Sequence, residues 1–127
     1  MRDFLGKNKI TGVGVGYIVE TILAIEAINK KNETSTSLIL EENEFGNDAV
    51  GSLSNLLAKT RRLTLLHIGS NQIDDGGIQT LVAGLKASRS ILRFHIPFNK
   101  ITDVGAAAIA NNIPAQLITL NLSMKKN

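Results

Sequence analysis

One pattern is written four times along this chain, and it limits what the chain can fold into. Asn8, Asn43, Asn71 and Asn99 are each followed two residues later by an apolar residue: Ile10, Phe45, Ile73 and Ile101. Six residues on, three of them have glycine (Gly14, Gly77 and Gly105), and the second copy has Ala49. The last two asparagine intervals are both 28 residues, a period typical of stacked repeat architectures. A unit of that size cannot bury its own apolar faces, so neighbouring copies must pack on one another.

The residues around each asparagine predict the content of a unit. Leu63, Leu66 and Ile68 precede Asn71 with the spacing that Ile91, Phe94 and Ile96 keep before Asn99. Leu38 and Leu40 precede Asn43, with Ser35 in the first place; Leu5 precedes Asn8, with Asp3 where a second apolar residue is expected. The alternation in Leu66-His67-Ile68 and Phe94-His95-Ile96 has the period of two of a half-buried strand. Downstream the period becomes helical, through Val15, Ile18, Val19 and Ile22; Val50, Leu53, Ser54 and Leu57; Ile78, Leu81, Val82 and Leu85; and Ala106, Ile109, Ala110 and Ile113. Thr11, Asp74 and Thr102 are placed to cap those helices, and Asp75 and Asp103 lie at the positive ends of the helix dipoles. Leu117, Leu120 and Leu122 announce a fifth strand, with Lys125 at the asparagine position. A strand, crossover, parallel strand connection is right-handed.

The pattern L-x-x-L-x-L-x-x-N-x-I-x-x-x-G followed by a helix resembles a leucine-rich repeat. Its 28-residue spacing is similar to the ribonuclease-inhibitor-like subclass, also found in NOD-like receptors and bacterial effectors. The resemblance implies an α/β right-handed solenoid, a horseshoe fragment with parallel strands on the concave face and helices on the convex face. It implies one domain, 1–127, with repeats at 1–34, 35–62, 63–90 and 91–116 and a partial one at 117–127. It also implies a structural role for Asn8, Asn43, Asn71 and Asn99, as a ladder of side chains bonded to the backbone of neighbouring turns.

Composition narrows the function. The chain has 127 residues, 43% of them hydrophobic, ample for one core. There is no cysteine, so there is neither a disulfide framework nor thiolate chemistry. Because many extracellular relatives of the resembled family cap their ends with disulfides, an intracellular, cytoplasmic location is expected. No leader segment is visible ahead of the first strand, and no apolar run approaches the roughly 20 residues of a membrane helix. Secretion as an effector without a leader stays open. The net charge of +3 is spread over pairs such as Lys30-Lys31 and Arg61-Arg62, which is not a nucleic-acid footprint.

Catalysis finds no support. Gly12-Val13-Gly14-Val15-Gly16 lacks the Gly-Lys-Ser/Thr of a phosphate loop. Asp74-Asp75 read as caps, not as an acid–base pair. His67 and His95 should be neighbours on adjacent strands, but with Glu41 alone in reach they make an incomplete zinc set. No cofactor or metal is expected.

The first asparagine interval is 35 residues. Leu23, Ile25 and Ile28 extend the first helix toward Asn29, leaving 30–37 as a polar loop, either a tolerated insertion or a contact element at one rim. Both end units lack visible caps, which predicts either a fragment of a longer protein or self-association through Arg2–Gly6 or Thr119–Ser123.

Residues between the buried leucines face outward, and equivalent ones lie about 5 Å apart. One row is Phe4, Ile39, His67, His95 and Asn121; its neighbour is Arg2, Ser37, Leu65, Arg93 and Thr119. Apolar residues grouped on that face, beside residue types common in binding hot spots, mark Phe4, Ile39, Leu65, His67, Arg93 and His95 as a protein-binding surface. A solvated sheet of ordinary strand formers is the alternative. The expected function is non-enzymatic: a recognition module of a receptor or effector, or else a small enzyme inhibitor, an adaptor or a self-assembling unit.

Overall fold

A computed structural model describes residues 2–31 and 34–123, the side chains of 2–4 excepted. The order is β1 (Arg2–Phe4), α1 (Gly12–Ile28), β2 (Thr36–Ile39), a 3-10 turn (Gly46–Ala49) running into α2 (Val50–Lys59), β3 (Leu63–His67), α3 (Asp75–Ala87), β4 (Arg93–His95), α4 (Asp103–Ala110) and β5 (Thr119–Asn121). The strands form one sheet in chain order, every pair parallel. This is an α/β solenoid of stacked strand–turn–helix units, with the strands lining one face and the helices covering the other. The core lies between, built from Leu38, Leu40, Leu66, Ile68, Phe94 and Ile96 on the sheet side and Leu53, Leu57, Ile78, Leu81 and Leu85 on the helix side.

The asparagines tie the units together. Asn71 Oδ1 accepts from the Asn43 amide at 2.7 Å, and its Nδ2 donates to the carbonyls of Leu40, Ile68 and Gly69. Asn99 repeats this one unit on, accepting from the amides of Asn71 and Ile73. Asn43 does the same for Asn8 and Ile10. Such bonds satisfy buried backbone groups that would otherwise cost about 1–3 kcal/mol each. The turns they hold are tight: Lys7, Glu42, Ser70 and Phe98, each just before its asparagine, have φ near +57°. Left-handed backbone costs a non-glycine residue about 1 kcal/mol. The chain accepts it because each of these four amides then donates to a carbonyl of the following unit.

A second set of bonds runs between helix N-termini. Asp74 caps α3 through the Gly77 amide, while Asn47 of the preceding unit accepts from the Asp74 amide and donates to its carboxylate. Asp75 reaches forward in turn and accepts from the amides of Thr102 and Gly105 and from the Thr102 hydroxyl. Asp74 and Asp75 are therefore caps. Close approach between helices needs glycine here: a β-carbon on Gly77 would lie 2.1 Å from Asn47 Oδ1, and one on Gly84 2.1 Å from the Ser54 carbonyl oxygen.

Several expectations need correction. Thr11 stands at the N-cap of α1 but its side chain caps nothing. Ser54 is not part of the buried stripe of α2; Leu56 is, and Ser54 instead bonds Thr80 O and Gly84 N of α3. The second helix opens with a 3-10 turn because Gly46 takes a left-handed φ and its amide turns to Asn71 O. The fourth helix ends at Ala110, so Ile113 lies past it and both are exposed. The loop after α1 is shorter than 30–37, since β2 begins at Thr36. The first helix does run to Ile28, for a reason the apolar pattern hides: Glu26 is buried and accepts from the Thr60 hydroxyl and the Arg61 amide. Arg62, also buried, donates to Asn29 O. The extra length of α1 thus carries a polar tie between the first two units.

Candidate functional site

The 28-residue period places the candidate residues on adjacent strands. Phe4 pairs with Ile39, Ile39 with His67, His67 with His95, and His95 with Asn121. In the next row Ser37 pairs with Leu65, Leu65 with Arg93, and Arg93 with Thr119. Ile39, Leu65, His67 and His95 are half-buried and Arg93 is exposed. The side chain of Phe4 lies outside the described residues, as do Lys125 and Met124.

The centre of this face is the histidine pair. The two rings are 5.5 Å apart between centroids and inclined at 48°. His67 Nδ1 accepts from the Gly69 amide at 3.2 Å, which puts the proton of its neutral form on Nε2, 3.7 Å from the Glu41 carboxylate. His95 differs. Its Nε2 is buried without a hydrogen-bond partner among the described residues. Burial, then His67, then Arg93 push the His95 pKa below the ordinary histidine value, so this imidazole is neutral at pH 7. Arg93 Nη1 donates to Thr119 Oγ1 at 3.2 Å, which holds the guanidinium along the sheet. The face therefore grades from apolar carbons at Ile39 and Leu65 to a cationic edge at Arg93. Among the described residues no group of three or more His, Asp or Glu side chains is placed to hold a metal ion.

The sequence places Glu42, Ser70 and Phe98 outward, in the row next along from the strands; what it missed is the groove that they help to line. A groove of about 680 Å³ runs along the turns after the strands, lined by Glu42, Glu44, Ser70, Gln72, Phe98, Asn99 and Lys100. Five of these seven have positive φ, and a left-handed Glu, Gln or Phe leaves no mark in sequence. Recurrence of the place just before each asparagine was the one signal available.

No helix among the described residues is long and apolar enough to cross a membrane. A leucine-rich repeat family model matches residues 61–82, covering β3 and the first turns of α3, and again residues 87–110, covering β4 and α4. No curated protein matches the chain.

Proposed function

From the premise that the chain is a leucine-rich repeat solenoid, we propose that it is a non-enzymatic module binding a partner protein on its sheet face, through Phe4, Ile39, Leu65, His67, Arg93 and His95. Leucine-rich repeat domains generally mediate protein–protein binding. The observation that carries the reading is contiguity: half-buried apolar, imidazole and guanidinium groups sit on registered neighbouring strands. Because the ladder holds those strands, the contact groups are ordered before binding, and association loses little conformational entropy. A complementary partner brings an apolar side chain to Ile39 and Leu65 and a carboxylate to Arg93.

The test is affinity capture followed by measurement with purified components. The Arg93→Glu, His95→Glu variant, checked for folding by circular dichroism, should lose the partner. Unchanged affinity would remove this face as the site. In finer detail we propose a cytoplasmic recognition module of a larger receptor or effector, with a small inhibitor or adaptor as the alternative. Self-assembly through end strands is a further reading, favoured by β5, whose three residues are all only half-buried. Sedimentation at several concentrations decides it, and a strict monomer ends it.

A further inference from the structure

Two of the three junctions between units follow a rule that the first unit is equipped to extend; at the first junction Gly12 holds the forward-reaching place and has no side chain to offer. In the third unit Asp75, the fourth residue after its ladder asparagine, accepts from the amides of Thr102 and Gly105 in the fourth. In the second unit Asn47 holds the same place and accepts from the Asp74 amide, lying where a β-carbon on Gly77 would be. The receiving residues at the third-to-fourth junction are Ile101-Thr102-Asp103-Val104-Gly105. The first unit carries Ile10-Thr11-Gly12-Val13-Gly14 at the same places.

There the receiving groups are unused. The amides of Thr11 and Gly14 have no acceptor among the described residues, and the Thr11 side chain caps nothing. A β-carbon on Gly14 would meet only Ile10 of its own unit, whereas one on Gly105 would meet Asp75 of the unit before. The apolar surround agrees. Ile18 is half-buried, while Leu53, Leu81 and Ile109 at the same place in the later helices are fully buried. Tyr17 is 67% exposed, while Ser52 in its place on α2 lies against Gly16 of α1.

We propose that the flank of α1 turned away from α2 is a docking surface for a further repeat unit of the same kind, one carrying Asp or Asn as the fourth residue after its ladder asparagine. That side chain accepts from the Thr11 and Gly14 amides, and the incoming helix covers Tyr17 and Ile18. The inference is independent of what binds the sheet face.

The test joins residues 63–91 ahead of Met1 in the full chain, which keeps a 28-residue interval between the added asparagine and Asn8. Amide exchange at Thr11 and Gly14 should slow at least about tenfold, as when only about one opening in ten remains, and the melting temperature should rise by about 4 °C or more. The same extension with its aspartate changed, Asp75→Ala in the added copy only, should return both amides to the rate of the parent chain. A second extension, from residues 35–63 and carrying Asn47, should protect them as the first does. Failure of both extensions to protect the two amides overturns the proposal, as does equal protection from the alanine version.

Discussion

The third unit and the first are written in one pattern and are covered differently. Ile78, Leu81, Val82 and Leu85 are all buried, as are Ile68 and Ile73 beside Asn71. In the first unit Val15, Val19 and Ile22 are buried, but Leu5, Ile10 and Ile18, at the places of Ile68, Ile73 and Leu81, are only partly so. Asn71 is fully buried with ladder bonds on both sides, whereas Asn8 is exposed and its Nδ2 reaches only Leu5 O and Gly6 O of its own turn. The same residue type thus carries different energetic weight according to whether a neighbour lies on both sides. That is the expected behaviour of a nearest-neighbour stack.

The sharpest way to break the comparison is at the ladder. Asn71→Ala should cost about 4 kcal/mol in denaturant unfolding, since it leaves the Asn43 amide without its acceptor and takes one of two donors from the carbonyls of Leu40, Ile68 and Gly69. Asn8→Ala should cost about 1 kcal/mol or less; equal losses would show that coverage is not what sets the weight. Next, Leu81→Ala should cost about 3 kcal/mol and Ile18→Ala about half that, because a cavity term applies only where the site is closed.

Two glycines extend the contrast to the helix layer. Gly84→Ala should destabilise by about 2 kcal/mol by forcing α3 from the Ser54 carbonyl. Gly51→Ala, with nothing near it, should stabilise by about 0.5 kcal/mol.

The smallest effect is pH-dependent. The Asn47 side chain first, then the Gly77 amide, hold the Asp74 carboxyl below the ordinary carboxylate value of 3.8; the Thr102 hydroxyl and amide do the same for Asp75. The folded state therefore binds fewer protons than the unfolded chain in that range. The stabilisation is fully present above pH 3.8 and is lost as pH falls through the lowered values. Asp75→Asn should flatten this acid limb in unfolding measured from pH 5 to 2. An unchanged limb would show that the caps play no part in it.

Much of the fold was legible because a constant period fixes strand register. The pairings Leu65 to Arg93 and His67 to His95 follow from the 28-residue interval alone. The placement of Ile39, Leu65, Arg93 and the histidines on one face follows with them. What could not be read comes from contacts between distant positions. Glu26 looks like a solvent-facing helix charge until Thr60 and Arg61 are brought to it from 34 and 35 residues away. The left-handed turns before each asparagine are held by bonds to the following unit, so Phe98 can stand where sequence preference would put glycine or asparagine. The truncation of α4 reflects its small residues, which leave Ile109 as the one fully buried anchor in its last turn.

The nearness of α2 and α3, allowed by Gly84 against Ser54, reaches beyond local packing. Strands stand about 4.8 Å apart and cannot be squeezed, while packed helices are commonly 8–10 Å apart. The mismatch between the two spacings sets the radius of curvature of the whole arc. Small residues on the outer helices flatten that arc and open the hollow on its inner side. The shape offered to a guest is therefore tuned from the back of the molecule, and a single methyl group at Gly84 would re-aim Leu65, Arg93 and the histidine pair without altering any of them.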